Sequence, residues 1–370
     1  MHDTSARTYT AALAVRVGAF QLLDIADQER RLARYGVLLG SLARESNPVR
    51  RIAWVERTVP ADADELGRYL QQERRLPLGS GPVTSYLELA DSAPAVTQDH
   101  EILVVLQIDA RRAAKETRRA GGGDLGTCRV LTRELSHVAD QLGRSGVEVL
   151  GALPPRMYAR LVRDGFDPFA RTARQRDATL TLEPAAPSAR EEVSPSRWDQ
   201  TAWPVAREDG WGVCKVDGAL ARTYWISGWP RTDVHATFLV PLLMHTSVPR
   251  AVALVMEPVP PSRAMRKIEA ARTDDAAEAI RRERQGFITS ARRRLQEQAT
   301  AQRESELAAG HQELRFAGFV TVHARDPEEL EASCAEVETA ARRCALEVEV
   351  MYGEQAAALT FTAPLGRGLR

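Results

Sequence analysis

An internal repeat runs through this chain, because short sequence matches recur in the same order in its two halves. Residues 6–9 and 221–224 both read ARTY, and residues 52–60 (IAWVERTVP) resemble residues 252–260 (VALVMEPVP). Further on, DAR at 109–111 corresponds to HAR at 323–325, and VEV at 147–149 corresponds to LEV at 346–348. An ordered series of matches indicates two copies of one supersecondary unit, so both halves should share one order of helices and strands.

Hydrophobic periodicity predicts that order in the first half. Strands are predicted at 8–17, 52–59, 102–108 and 147–150, and helices at 25–42 and 127–142, capped by Asp24 and Thr127. Two shorter helices, at 62–75 and 83–89, fall between the second and third strands. A β-α-β-β-α-β order folds as a four-stranded antiparallel sheet with both helices on one face. The predicted fold class is α+β, with two tandem ferredoxin-like units, each carrying a helical insertion between strands 2 and 3.

The length of 370 residues also favours two domains, since single cores rarely exceed roughly 250 to 300 residues. Residues 1–169 are predicted as the first unit and residues 205–370 as the second. The segment between them, 170–204, is rich in Arg, Ala, Pro, Ser and Glu and is predicted to be a linker. In the second unit, the insertion at 262–309 is predicted to be a long helical hairpin.

That hairpin is heavily charged, with Arg281, Arg282, Arg292 and Arg293 among its basic residues. Opposite charges three or four positions apart, as in Glu278 with Arg282, are typical of a solvent-exposed helix. The interpretations are a solvated helical hairpin, a docking arm for another protein, or a nucleic-acid contact.

Overall charge argues against the last of these. Lys plus Arg and Asp plus Glu each number 50, so the chain has no net field to attract nucleic acid. No apolar run is long enough to predict a membrane-spanning helix, and the start lacks a signal-peptide core. The four cysteines lack C-x-x-C spacing and are predicted to be buried, reduced thiols.

Motifs that carry chemistry were not found in the sequence. There is no G-x-x-x-x-G-K-[ST] phosphate loop, and the glycine-rich stretch at 121–127 lacks the lysine and contains Asp124, whose charge would oppose phosphate. His235 and His245 share a predicted helix but point to different faces, and the acidic residues at 62–65 belong to the first turn of a helix. With no G-x-S-x-G elbow either, no catalytic residue, metal ligand or cofactor is predicted.

Aromatic residues concentrate at the start of the second unit: Trp203, Trp211, Tyr224, Trp225 and Trp229. They are interpreted either as the core of the second sheet and its seam with the linker, or as a partner-binding patch. At even spacing on one strand, Trp225 and Trp229 would share a sheet face. The predicted partner interface therefore comprises Trp225, Trp229 and Arg231, together with the hairpin residues Arg281, Arg282, Arg292 and Arg293.

Residues 222–231 (RTYWISGWPR) resemble a family of actinobacterial conjugative-transfer proteins encoded beside PrgI-like membrane proteins. Residues 54–60 (WVERTVP), the segment 161–168 ending in FDP, and the closing 359–369 (LTFTAPLGRGL) agree with it, so the resemblance covers nearly the whole chain. Through element order and residues 304–310 (ESELAAG), the family is similar to the amino-terminal domain of TraC and TrsE-type conjugation ATPases.

The resemblance implies a non-catalytic scaffold of a conjugative type IV secretion system. Such a scaffold would link a transfer ATPase to inner-membrane subunits at the cytoplasmic face of the membrane. The implied partners are the conjugation ATPase and a PrgI-like membrane protein, with no direct nucleic-acid contact, and homo-oligomerisation stays open. Family members usually carry membrane helices ahead of this region, so the chain is expected to be a soluble fragment. The alternatives are an enzyme with a site between the two units, or a nucleic-acid-binding module that stacks bases on aromatic residues.

Overall fold

A computed structural model describes residues 1–18, 20–60, 80–85, 98–170, 203–244, 246–270, 273 and 291–369. Within them the chain is a mixed α+β protein built on one large antiparallel sheet. The strands are β1 (His2–Asp3), β2 (Thr8–Val17), β3 (Val49–Pro60), β4 (Gln98–Asp109), β5 (Val147–Ala152), β6 (Arg207–Asp209), β7 (Cys214–Val216), β8 (Ala219–Gly228), β9 (Arg250–Val259), β10 (Glu313–Ala324) and β11 (Glu347–Val350). The helices are α1 (Ile25–Leu42), α2 (Ala114–Arg119), α3 (Gly123–Arg144), α4 (Pro155–Phe166), α5 (Val240–Met244), α6 (Ala291–Ala308), α7 (Pro327–Arg343) and α8 (Gln355–Thr362), and residues 81–85 and 261–270 are also helical.

The two halves contribute four strands each in the same relative order. In the first half the order across the sheet is β5–β2–β4–β3, and in the second it is β11–β8–β10–β9. Every one of these neighbouring pairs is antiparallel. The first strand of each half therefore lies between the fourth and the third, and the second strand lies at the border of its half.

Strands β3 and β9 join the two halves, because they pair along their length in an antiparallel ladder. Trp54 lies opposite Leu254, and Ile52 lies opposite Met256. Trp54 and Leu254 are also the residues that correspond to each other in the sequence repeat. Pairing between corresponding residues is the arrangement that a local two-fold axis between the halves produces.

The sheet buries its two faces differently. On one face, α1 and α3 cover the first half with a core that includes Leu38, Leu106 and Leu142, while α5 and α7 cover the second half with Tyr224, Val320 and Leu330. On the opposite face, a third core takes residues from both halves. Its members include Val55, Val105, Phe166, Val255, Phe319 and Leu359, contributed by β3, β4, α4, β9, β10 and α8.

Burial of this joint core ties the halves together beyond the backbone ladder. Fully burying one Val, Leu or Phe side chain contributes roughly 1.5–3 kcal/mol, and this core holds several from each half. The chain end follows the same face, where Gln107 Nε2 donates to Leu365 O at 3.4 Å and the Tyr158 hydroxyl donates to Pro364 O at 2.5 Å. Helices α4 and α8 therefore act as a shared cover over the junction.

The predicted bounds of β2 and α1 are confirmed at both ends. Asp24 caps α1, since its Oδ1 accepts from the Asp27 amide at 2.7 Å. The predicted cap at Thr127 is wrong, because α3 begins at Gly123 and Thr127 lies inside it, donating from Oγ1 to Gly123 O at 3.0 Å. Gly121 and Gly122 have φ of 108° and 75°, a turn that glycine adopts without strain and that starts the helix four residues earlier.

One of the repeated matches is offset in the sheet. Thr8 pairs with Asp109 at the end of β4, whereas Thr223 pairs with Thr321, two residues before His323. A shift of two residues keeps each side chain on its own face, so Tyr9 and Tyr224 are still buried beneath the helices of their halves.

Helices α4 and α8 and the β6–β7 hairpin were not predicted from the sequence, and the helix predicted to hold both His235 and His245 is only the short α5. The helix predicted at 62–75 and most of the linker at 170–204 lie outside the described residues, as do residues 86–89 of the next helix and residues 274–290 of the hairpin. The division into domains 1–169 and 205–370 stays a prediction. Across the described ranges, no helix is both long and apolar enough to cross a bilayer.

Candidate functional site

The predicted interface residues lie on separate parts of the molecule. Trp225 is 42% exposed on β8, and Arg231 is exposed in the loop that follows β8. Arg292 and Arg293 fall within α6, where only the backbone is described at these positions, and Arg281 and Arg282 lie outside the described residues. Of this set, the structure describes only the side chains of Trp225, Trp229 and Arg231, which lie on β8 or just after it.

Trp225 and Trp229 lie on opposite sides of the sheet, which corrects the prediction that they share a face. β8 ends at Gly228, so Trp229 is no longer in the strand. Its indole ring packs edge-on against Phe316 at a centroid distance of 5.4 Å, over the space left by Gly318 and beside Ile226. Ile226 belongs to the core beneath α7, whereas its neighbour Trp225 points to the other face.

An exposed aromatic pair was missed by the sequence analysis. Trp211 and Tyr352 stack with ring centroids 6.2 Å apart, and they are 75% and 58% exposed. Gly353 lets them approach, since its amide donates to Trp211 O at 2.7 Å and its φ is 73°. Tyr352 is distant in sequence from the aromatic run at 203–229, so no local pattern indicated the pair.

Helix α6, in the predicted hairpin, is largely exposed along its described side chains. Ala301, Gln302, Arg303, Ser305 and Glu306 are all exposed. A helix with so few buried contacts contributes little to the core. Its outer face is therefore accessible to another molecule.

A cavity of about 480 Å³ lies at one end of the β3–β9 seam, and we call it the arginine cavity. Both halves line it. The first half contributes the β1–β2 loop, the start of β3 and the end of β4, and the second half contributes the end of β9, the helical residues 261–270, the start of β10 and residue 369. The lining residues are Ser5, Ala6, Arg50, Arg51, Asp109, Arg111, Arg112, Glu257, Arg263, Arg315 and Leu369. The doublets Arg50-Arg51 and Arg111-Arg112 were visible in the sequence, but only the pairing of β3 with β4 places them together.

Two carboxylates partly balance the arginines of this cavity. Arg51 Nε lies 3.4 Å from Glu257 Oε2, and Arg50 Nη1 lies 3.9 Å from Asp109 Oδ2. Arg51 also donates to the carbonyls of Gly366, at 3.2 Å, and Leu369. Burial lowers the pKa of Arg51, and the neighbouring charges of Arg50 and Arg315 lower it further, against the opposing effect of Glu257. The cavity is therefore strongly electropositive.

The opposite end of the seam holds a closed polar network instead. Arg250 is fully buried there and donates to Thr58 Oγ1 at 2.6 Å and to Leu243 O at 2.5 Å. Glu56 lies 3.7 Å from the same guanidinium group and 2.9 Å from His100 Nδ1. Arg250 is thus held by one ion pair and two hydrogen bonds, although its Nε and Glu56 Oε2 make no hydrogen bond within the described residues.

Arg57 and His323 form a second buried polar group, beneath α4. Arg57 donates to Leu161 O at 2.7 Å and is ion-paired with Glu101. Burial lowers the pKa of His323 to about 4, with the charge of Arg57 adding to the effect and a hydrogen bond with the backbone of Gly165 opposing it. His323 is therefore neutral in the folded protein near neutral pH.

This neutral histidine makes stability depend on pH. Unfolded His323 binds a proton below pH 6.5, whereas the folded form resists protonation down to about pH 4, so stability falls as pH drops through this window. We expect the wild-type chain to lose roughly 1.4 kcal/mol of its free energy of unfolding per pH unit between these values, and the variant H323Q to lack this loss. Urea unfolding at pH 7, 6 and 5 measures the free energy of unfolding of both proteins. The control H137Q, at an exposed histidine, should follow the wild-type profile.

Three of the four cysteines are buried in the structure. Cys214, Cys334 and Cys344 are buried, as predicted, but Cys128 is exposed, which corrects that part of the prediction. Burial, with the nearby charge of Asp209, raises the pKa of Cys214 to about 11, so it is a neutral thiol near pH 7. Among the residues with described positions, no group of His, Cys, Asp or Glu is arranged to hold a metal ion.

Comparison with known sequences does not assign the chain to a family, because no protein-family model and no curated protein matches it significantly.

Proposed function

We propose that each half is a ferredoxin-like unit and that the two units arose by duplication. The shared strand order, with the first strand between the fourth and the third, supports this proposal. So does the direct pairing of Trp54 with Leu254, which correspond in the repeat. In both halves the residues between the second and third strands include described helical segments, at 81–85 and at 261–270 with α6.

For function, we propose a non-catalytic scaffold of a conjugative type IV secretion system that links a transfer ATPase to inner-membrane subunits at the cytoplasmic face. The resemblance at residues 222–231 supports it. The observation that carries it is the β3–β9 ladder, because antiparallel pairing makes the two insertions leave the sheet at opposite ends of one seam. Two insertions that leave one sheet at opposite ends of a seam are suited to holding two partners apart.

Co-purification tests the scaffold proposal. We expect the chain to retain the conjugation ATPase encoded with it at micromolar concentrations. Replacing residues 271–309 by a Gly-Ser linker, which keeps the buried Ala264 and Ile268, should abolish retention, since α6 contributes exposed surface and little core. The variant W225S tests the other predicted docking element separately.

Thermal unfolding of the shortened chain serves as its control, and its midpoint should stay within a few degrees of the full chain. If the full chain fails to retain either the ATPase or a PrgI-like protein, the scaffold proposal is wrong. If retention survives the deletion of 271–309, the docking role of the hairpin is wrong.

An enzyme with its site between the units is the second candidate, and the arginine cavity favours it because both halves line that cavity. Its titratable groups are guanidinium groups and two ion-paired carboxylates, which suit binding better than proton transfer. Turnover of a nucleotide by the purified chain, lost in R111A, would establish this alternative.

A further inference from the structure

The arginine cavity carries more positive charge than its own acidic groups balance. Six arginines line it against Asp109 and Glu257, which leaves an excess of four positive charges. The carboxylate of Asp109 also accepts two backbone hydrogen bonds at Oδ1, from the amides of Arg111 at 2.8 Å and Arg112 at 3.3 Å. Like charges brought this close destabilise the folded chain unless an anion joins them.

The repeat shows how this excess arose. Arg50 in the cavity corresponds to Arg250 at the other end of the seam, where Glu56 and Thr58 neutralise and bond the guanidinium group. The residues that correspond to Glu56 and Thr58 are Met256 and Pro258. The cavity end therefore lacks the glutamate and threonine that close the equivalent network, and Arg50 pairs instead with the carboxylate of Asp109, at 3.9 Å.

The size and polarity of the space restrict what could fill it. A volume of about 480 Å³ lies within the range of roughly 300–1,000 Å³ typical of small-molecule sites. Ala6 and Leu369 are the apolar residues among those that line it, so the cavity suits a charged group rather than an aromatic ring. Guanidinium groups bind phosphate oxygens bidentately, and a diphosphate carries several such oxygens with a charge that approaches the excess.

We propose that the arginine cavity binds a polyphosphate group, either inorganic pyrophosphate or the phosphate chain of a nucleotide. Arg111 and Arg263 are exposed at its rim and are well placed to contact the ligand, while the buried Arg51 holds the chain end against the wall. This inference concerns a small ligand and is independent of the partners in the scaffold proposal.

Calorimetric titration of the full chain with pyrophosphate at constant ionic strength tests the site. We expect saturable binding that R111A and R263A each weaken at least about tenfold, as loss of a charge-assisted hydrogen bond does. R160A removes an exposed arginine of α4 outside the cavity, and it should change affinity by less than about twofold. Because Arg111 and Arg263 are exposed and belong to a cluster of like charges, neither variant should lower the unfolding midpoint in the absence of ligand.

Further titrants identify the source of the phosphate. Binding of ADP with the affinity of pyrophosphate, and none of adenosine, would support the site for nucleotides, while pyrophosphate binding alone would support it for inorganic ligands. No binding of pyrophosphate at millimolar concentration would overturn the proposal, as would equal binding of citrate. Affinity unchanged in R111A and R263A, or binding of single-stranded DNA without pyrophosphate, would overturn it too.

Discussion

A358D is expected to destabilise the chain by at least about 4 kcal/mol, because it places an unpaired carboxylate under the shared cover of the sheet. Ala358 is fully buried on α8, which packs against β8, β9 and β10. Among the described residues, the side-chain hydrogen bonds of α8 involve no cationic group, and Gln355 bonds to the backbone of Thr223. Urea unfolding followed by circular dichroism measures the change.

A357D is the matched control, since Ala357 is the preceding residue of the same helix and is exposed. Both variants carry the same intrinsic penalty for aspartate in a helix, below about 1 kcal/mol, so their difference isolates burial. Equal unfolding midpoints for the two variants would show that α8 does not cover the sheet as described.

R57A is expected to lower the free energy of unfolding by about 3–5 kcal/mol, as is typical when one partner of a buried ion pair is removed. Arg57 is 1% exposed, and its loss removes the donor to the carbonyl of Leu161 and the ion pair with Glu101. A cavity forms at the same place, between β3 and α4. Equilibrium unfolding in urea at pH 7 measures the effect.

Arg16 provides the comparison, because its contact with Glu148 joins two exposed side chains at 3.5 Å. Exposed pairs contribute little, so R16A should change stability by less than about 1 kcal/mol. Similar effects of R57A and R16A would contradict the burial of Arg57 beneath α4.

Local patterns predicted the strands and the longest helices of the first half well, because those elements have one buried face with a clear period. The apolar spacing of α1 and the run at 102–108 are examples, and both fall within elements of the structure. Helix α4 was missed although Tyr158, Val162 and Phe166 recur at helical spacing. The helix follows the fourth strand, where the β-α-β-β-α-β order contains no further element, so that order did not predict it.

The candidate site was harder to predict than the fold, since it depends on strand register. Arg50 and Arg112 are distant in sequence, and only the pairing of β3 with β4 brings their ends together. The same holds for Arg51 and Glu257, which face each other across β3 and β9. Trp225 and Trp229 were placed on one face because the strand was assumed to continue past Gly228, where it ends.

The two ends of the seam differ, which supports the scaffold that we propose. One end is occupied by Arg250, Thr58 and Glu56, and the other end is open and positively charged. Two halves with the same strand order therefore form a seam whose ends have different properties. A body of this kind can hold unlike molecules at a fixed separation.

Hydrogen exchange of the amides in β3 and β9 tests the central claim, that the two halves form one sheet, most directly. The account predicts that peptides covering residues 52–58 and 250–256 are protected as strongly as those of β4 and β10, because all four strands are paired on both sides. Fast exchange of residues 52–58 and 250–256, with β4 and β10 still protected, would show two separate sheets with free edges and would contradict it.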